Sequence, residues 1–172
     1  MSRDGNITDR HIVLIGSSGA GKSSIAEAVH EKYGVPKYDT DEWVVDTTGL
    51  AIPKIFEEDG EPYFRILEAR ALRRILDNDP GITATGDGIA GSDVGYSALR
   101  YAEATIIWLK VGLDIAWDRV KEDSNRRLAQ DFDVFETRFN LRQPLYRSAA
   151  HFAIDTELQS FDETVARVAD YI

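Results

Sequence analysis

The chain of 172 residues has no cysteine, only five prolines and a single methionine. Without cysteine it can form no disulfide, thiol nucleophile or zinc–thiolate site, which fits a reducing compartment. Its longest aliphatic run is Ile12–Ile15, whereas a membrane-spanning helix needs about 20 apolar residues. The first ten residues are polar and lack the apolar segment of a signal peptide. We therefore expect a cytoplasmic protein with no membrane partner.

Positive charge is also scarce, because 30 acidic residues outnumber 20 Lys and Arg and give a formal net charge of -10. A protein that neutralises nucleic-acid phosphates usually presents a basic face, so a nucleic-acid partner is not expected. The length fits one domain, and no repeat or flexible linker divides it. We expect a single domain over residues 1–172 that acts as a monomer.

Hydrophobic patterning predicts short strands that alternate with amphipathic helices. Strands are predicted at 11–15, 82–85, 104–109 and 152–154, and a further short strand is predicted to end near residue 38. Helices are predicted at 23–33, 62–76, through 98–99, and at 113–121 and 135–150, and a capping box at 160–163 opens a closing helix. This alternation predicts an α/β fold, a doubly wound parallel sheet whose ligand site lies at the carboxyl ends of the strands.

The strongest motif is Gly16–Ser23, GSSGAGKS, which fits the phosphate-binding pattern G-x-x-x-x-G-K-[ST]. A hydrophobic strand precedes it and an amphipathic helix follows, as the motif requires. Its backbone amides and the helix N-terminus can cradle phosphates, Lys22 can reach the β- and γ-phosphates, and the Ser23 hydroxyl can bind Mg²⁺. The motif predicts an ATP site; a glycine turn before an ordinary helix is the structural alternative.

Asp39-Thr40-Asp41 follows the second predicted strand. If the segment stays extended, both carboxylates point to the same side, into the crevice beyond the sheet. One could then hold Mg²⁺ through water while the other accepts a proton from the substrate hydroxyl. Alternatively, Asp41 is the N-cap of a helix that begins at Glu42.

Arginines are the remaining candidates for anion binding. Arg65 alone predicts an ion pair with its i+3 neighbour Glu68 on a solvated helix face. The stretch 126–147 holds five arginines against three acidic residues, and the planar guanidinium suits phosphate and carboxylate oxygens.

Taken together, the P-loop, Asp39-Thr40-Asp41, the run 55–65 ending in Phe64-Arg65, and Arg142-Gln143-Pro144-Leu145-Tyr146 resemble the shikimate kinase family over about residues 11–155. The resemblance implies a small P-loop kinase with a five-stranded parallel sheet between two helical layers. It also implies a lid at about 122–135, a substrate subdomain at about 43–65, and a place in aromatic amino acid biosynthesis.

The resemblance assigns roles residue by residue. Asp39 and Ser23 would serve Mg²⁺, while Lys22, Asp41 and Arg126 would be catalytic. Nucleotide binding is implied for Gly16, Ser17, Ser18, Gly19, Ala20, Gly21, Lys22, Ser23, Ser24, Arg119 and Arg126. Substrate binding is implied for Asp41, Arg65, Gly86, Asp87, Gly88 and Arg142, with Arg65 and Arg142 holding the substrate carboxylate.

Two positions depart from the family pattern: its Gly-Gly-Gly is Gly86-Asp87-Gly88 here, and its lid Arg-Pro-Leu-Leu is Arg126-Arg127-Leu128-Ala129. At about 5 Å from a substrate carboxylate, Asp87 would cost on the order of 3 kcal/mol unless it turns away or binds metal. The expected function is ATP- and Mg²⁺-dependent phosphorylation of shikimate or a similar hydroxy acid. A different polyol, sugar acid or aminated analogue, and a nucleotide-binding regulatory protein, remain as alternatives.

Overall fold

A computed structural model describes residues 8–121 and 131–172. Its strands are β1 (His11–Ile15), β2 (Lys37–Asp39), β3 (Ile82–Ala84), β4 (Ala104–Lys110) and β5 (Phe152–Asp155). Its helices are α1 (Lys22–Tyr33), α2 (Thr40–Thr48), α3 (Ile52–Glu58), α4 (Gly60–Leu76), α5 (Asp93–Arg100), α6 (Leu113–Val120), α7 (Phe132–Ala149) and α8 (Phe161–Ala169).

The strands form one sheet in the order β2-β3-β1-β4-β5, and every neighbouring pair is parallel. In the centre, Ile12 of β1 is in register with Ile82 of β3 and Thr105 of β4. The predicted doubly wound parallel sheet is confirmed. Chain order reverses at β1, so the carboxyl ends of β1 and β3 flank the crevice where such sheets bind ligands.

Strand β1 is hydrophobic throughout because both of its faces are covered by helices. Ile12 and Leu14 pack in the layer of α1 and α8, whereas Val13 and Ile15 pack in the layer of α4 and α5. All four side chains are buried, and full burial of each stabilises the fold by roughly 1.5–3 kcal/mol.

The region between β2 and β3 holds more helix than the sequence predicts. Helix α3 is not predicted at all, and α4 begins at Gly60 rather than Pro62. Val44, Ile55 and Phe64, from α2, α3 and α4, share a small buried cluster of their own, apart from the two clusters on the sheet. This cluster holds the three helices as a unit beside the carboxyl end of β3.

The closing helix α8 confirms the capping box, since Ser160 accepts from the Glu163 amide and Glu163 accepts from the Ser160 amide. Within the described ranges, no helix has both the length and the apolar character needed to cross a bilayer.

Candidate active site

The loop between β1 and α1 depends on three glycines with positive φ, Gly16, Gly19 and Gly21. A Cβ on Gly16 would lie 2.6 Å from the Leu109 carbonyl oxygen, and one on Gly19 would lie 2.7 Å from that of Ala116. Side chains are therefore excluded there by both backbone conformation and space. Gly21 caps α1 without a side chain, so the first-turn amides of α1 are left for a ligand.

Lys22 is buried at the start of α1, and its Nζ donates to the carbonyls of Gly16 at 2.7 Å and Ser17 at 2.9 Å. The ammonium thus lies back over its own loop. A phosphate bound in this loop would offer it charged oxygens in exchange for two neutral carbonyls, which is a stronger interaction.

Ser23 and Asp39 meet at the adjoining corner, where the Ser23 hydroxyl donates to Asp39 Oδ2 at 3.2 Å. The other oxygen of Asp39 accepts from the amides of Asp41 at 2.8 Å and Glu42 at 3.3 Å. Asp39 is therefore the N-cap of α2, and the alternative of a cap at Asp41 is wrong. A hydroxyl and one carboxylate fit Mg²⁺, which takes few protein ligands and completes its shell with phosphate and water.

Asp41 lies in the first turn of α2, so the predicted extended geometry of the two aspartates is also wrong. The carboxylate nevertheless reaches the crevice: Asp41 Oδ1 is 3.0 Å from the point that a Cβ on Gly86 would occupy. Asp39 comes from the end of a strand and Asp41 from a helix, and the two arrive at the same edge of the sheet.

The loop Gly86–Gly88 follows β3 and is confined by side chains on both sides. The Gly86 amide donates to the Thr40 hydroxyl at 3.0 Å. A Cβ on Gly86 would meet Glu68 Oε1 at 2.1 Å, and one on Gly88 would meet the Arg65 guanidinium at 2.2 to 2.4 Å. The first and third positions must therefore be glycine, whereas the middle position can carry a side chain.

Arg65 on α4 is buried and pairs with two carboxylates, Glu61 Oε1 at 2.9 Å and Glu68 Oε2 at 2.8 Å. The pair with Glu68 is predicted from the i+3 spacing, but the solvated face is wrong because Glu68 is fully buried. Burial raises the pKa of Glu68 to about 7, against the lowering by Arg65. Burial opposes the charge on Arg65, yet Glu68 and Glu61 outweigh it and raise its pKa.

Asp87 joins the two halves of the crevice. Its Oδ2 accepts from the Ser18 hydroxyl of the P-loop at 2.9 Å and from Nη1 of Arg142 on α7 at 2.8 Å. Burial opposes its charge, but Arg142 and Lys22 outweigh burial and hold the pKa of Asp87 below its usual value. The family resemblance implies that Asp87 and Arg142 are separate substrate groups, whereas the structure pairs them with each other.

Arg119 on α6 lies on the outer side of the P-loop, where its Nη1 donates to the Gly19 carbonyl at 2.7 Å. Arg126, the predicted lid arginine, falls outside the described residues. The crevice therefore brings together the P-loop, Asp39, Asp41, Arg65, the loop 86–88 and Arg142.

A family model for shikimate kinase matches residues 18–172. The chain belongs to the shikimate kinase family. The shikimate kinase of Ruegeria pomeroyi is 31% identical over 170 residues, which cover 96% of this chain and 87% of that protein. The one from Rhodopseudomonas palustris is 35% identical, covering 95% and 83%. The kinase uses ATP and transfers a phosphoryl group to a hydroxyl.

Solved structures agree with this family. A shikimate kinase from Acinetobacter baumannii in complex with shikimate superposes with a TM-score of 0.87 at 27% identity, over 96% of this chain and 93% of that one. A gluconokinase from Sinorhizobium meliloti shares the fold with a TM-score of 0.60 at 19% identity, over 94% and 90%.

Three residues of this kinase's site are not predicted from the sequence. Thr40 holds the Gly86 amide, Glu61 pairs with Arg65, and the buried Tyr146 donates its hydroxyl to the Asp87 carbonyl. Glu61 is four residues before Arg65, and helical i,i+4 spacing could have placed it beside that arginine. The bond of Tyr146 to Asp87 joins residues that are 59 apart in the chain, so no local spacing predicts it.

Proposed function

We propose that this kinase phosphorylates a hydroxyl of shikimate with Mg-ATP. The observation that carries the proposal is the convergence of a phosphate-binding loop, one helical carboxylate and two arginines on the loop 86–88. The two halves of this crevice are in contact, because Ser18 and Asp87 lie 2.9 Å apart. The relative from Acinetobacter baumannii is known in complex with shikimate, and its fold, which this chain shares with a TM-score of 0.87, supports the proposal.

The nucleotide half supplies charge stabilisation. In this proposal the P-loop amides and Lys22 bind the β- and γ-phosphates, and Arg119 lies on the outer side of the loop for the nucleoside. Ser23 and Asp39 would hold Mg²⁺, which neutralises phosphate charge when bound. Because phosphoryl transfer has a loose transition state with charge spread over the oxygens, fixed cations and amides there lower its free energy.

The acceptor half supplies position. Asp41 would accept a hydrogen bond from the acceptor hydroxyl and orient it toward the γ-phosphate. Arg65 and Arg142 would bind the acceptor carboxylate, since guanidinium donors match carboxylate oxygens in pairs. Arg65 keeps a fixed orientation because Glu61 and Glu68 hold it from two sides.

Residues 43–65 would act as the acceptor subdomain and residues 122–135 as the lid, from which Arg126 would reach the phosphates. We propose that the enzyme acts as a monomer. The second candidate is the same transfer to a different polyol, sugar acid or aminated analogue, and the ion pair of Arg142 with Asp87 favours it.

The test is ADP release from Mg-ATP by the purified enzyme, with shikimate beside quinate, gluconate and a reaction without acceptor. We expect shikimate-dependent turnover at roughly 1–100 per second, and its loss in Asp41→Asn, which keeps the side-chain shape but removes the charge. Turnover on another acceptor and none on shikimate would favour the second candidate. Tight ATP binding with no transfer to any acceptor would contradict both.

A further inference from the structure

Asp87 forms an ion pair with Arg142, one of the two arginines that bind the acceptor carboxylate in the proposed function. Its carboxylate bonds Arg142 at 2.8 Å, and this is the sole hydrogen bond of the Arg142 side chain to any residue in the described ranges. An acceptor carboxylate needs the same guanidinium. Both groups are anions, so they cannot share Arg142 without repulsion.

We propose that Asp87 is a specificity determinant that acts as an internal competitor of the acceptor carboxylate at Arg142. This inference rests on the proposed function, because it needs an acceptor acid that binds this arginine. The acid binds when the Asp87 side chain leaves Arg142, and the observed affinity of the enzyme for the acid is lowered by the ion pair that must break.

The position of Asp87 explains why it competes so directly. Its backbone is fixed, since Tyr146 donates to its carbonyl and the flanking Gly86 and Gly88 are packed against Glu68 and Arg65. The fixed backbone places the side chain next to Arg142, and Ser18 holds it in that orientation from the P-loop side. A preorganised partner competes well because it loses little freedom on pairing.

The same geometry lets Asp87 give way without unfolding the loop. The side chain of Asp87 is 35% exposed, whereas that of Arg142 is 13% exposed. Rotation of the Asp87 side chain toward solvent keeps the backbone bond to Tyr146 and leaves a hydrated carboxylate. The cost of displacement is then the lost ion pair and the lost Ser18 bond, not the burial of an unpaired charge.

The balance of charge in the acceptor half points the same way. Arg65 already has two carboxylate partners and Arg142 has one. With Asp87 in place, neither of these two arginines carries an uncompensated charge toward a second anion. Removing the charge of Asp87 should thus increase the affinity for acceptors that carry a carboxylate, and should change the affinity for an uncharged analogue very little.

The experiment compares wild type with Asp87→Asn, Asp87→Gly and Ser18→Ala. Shikimate and its methyl ester are the probes, and Asp93→Asn serves as the control because it removes one exposed negative charge from α5. For Asp87→Asn we expect the KM for shikimate to fall about tenfold with kcat within threefold, and the KM for the ester to change less than twofold. Ser18→Ala, which loosens Asp87 but keeps its charge, should lower the KM for shikimate about twofold, and Asp93→Asn should leave it unchanged.

An unchanged or increased KM for shikimate in both Asp87 variants would overturn the proposal, and an increase would make Asp87 a binding partner of the acceptor. An equal decrease for shikimate and the ester would also overturn it, because loop packing rather than charge would then be responsible. The dissociation constant of shikimate, measured by calorimetry with a non-hydrolysable ATP analogue, separates the two proposals. If wild type fails to turn over shikimate, the proposed function fails. A dissociation constant for shikimate that is tenfold lower in Asp87→Asn than in wild type would still support competition, and equal dissociation constants in the two proteins would refute it.

Discussion

The two halves of the crevice are built in different ways. The nucleotide half is made mostly of backbone: glycines with positive φ, helix amides, and a lysine that bonds its own loop. The acceptor half is made of side chains from α2, α4 and α7 that contact the loop 86–88. A site formed by backbone groups is encoded by one contiguous motif, whereas a site formed by side chains depends on which residues from distant parts of the chain come into contact. Away from the Ser18–Asp87 contact that joins them, the two halves can accordingly be altered one at a time.

The largest effect is expected from Lys22→Ala, which breaks the nucleotide half alone. In the proposed function Lys22 stabilises the transferred phosphoryl group, so its loss should lower kcat about 1,000-fold, while the dissociation constant of shikimate stays within threefold. ADP release and calorimetry measure the two quantities. Lys32→Ala, an exposed lysine on the same helix, is the matched control and should keep full activity; a similar loss there would contradict this role for Lys22.

The converse change, Gly88→Ala, breaks the acceptor half. A Cβ at this position lies 2.2 Å from Arg65 Nη2, so the buried pair of Arg65 and Glu68 must shift. We expect the free energy of unfolding to fall by about 3 kcal/mol and the KM for shikimate to rise at least tenfold, with the KM for ATP unchanged.

Gly49→Ala is the control for Gly88→Ala, since Gly49 also has no side chain but faces open space at φ +69. Gly49→Ala should lower the free energy of unfolding by only about 1–2 kcal/mol, through backbone strain. The KM values for shikimate and ATP should not change. An equal KM effect in the two alanine variants would show that loop packing around Arg65 is not what matters. Urea unfolding and steady-state kinetics together decide this.

A third change concerns the buried carboxyl of the acceptor half. The pKa of Glu68 is about 7 in the folded protein, against an ordinary value of 4.5 for a glutamate in water. Because the folded state binds the proton of Glu68 more tightly than the unfolded state does, protonation of Glu68 stabilises the fold. This contribution is fully present below pH 4.5 and is lost as the pH rises to 7. The difference in unfolding free energy between wild type and Glu68→Gln should therefore change by on the order of 3 kcal/mol over this range, in favour of Glu68→Gln at high pH. Urea unfolding across this pH range measures it, and a constant difference would contradict the raised pKa.

The smallest effect is expected outside both halves, at the capping box of α8. Ser160→Ala removes the side-chain oxygen that accepts from the Glu163 amide and should cost about 1 kcal/mol of stability. Thermal unfolding measures the loss, and kcat and both KM values should not change. A change in KM for either substrate would mean that α8 is coupled to the crevice.

The sequence predicts the sheet and the glycine loop between β1 and α1 because both rest on local patterns. The run Ile12–Ile15, the glycine spacing and Lys22 are neighbours in the chain, and their geometry follows from backbone conformation. Neither interpretation of Asp39-Thr40-Asp41, the extended segment or the alternative cap at Asp41, matches the structure, because a three-residue strand joins α2 there without a turn. Asp39 ends the strand and Asp41 lies in the first turn of the helix, so the alternation of side chains along a strand does not extend from one to the other.

The sequence predicts the members of the acceptor half but not its pairs. Arg65, Asp87 and Arg142 are expected at the site from family resemblance, yet Asp87 and Arg142 are 55 residues apart in the chain. Their ion pair depends on how α7 packs beside the loop after β3, which no local pattern encodes. Of the other contacts, helical spacing accounts for the two glutamate partners of Arg65, Glu61 at i,i+4 and Glu68 at i,i+3. It does not account for the bond of Tyr146 to the Asp87 carbonyl, which joins residues 59 apart.

The central claim, that the two halves act together to phosphorylate shikimate, is tested most directly by the product itself. Phosphorus NMR of the enzyme with Mg-ATP and shikimate should show one phosphomonoester signal, split by a single ring proton, that grows in step with ADP and is absent without shikimate. ATP consumption that yields only inorganic phosphate, or no consumption at all, would contradict the account.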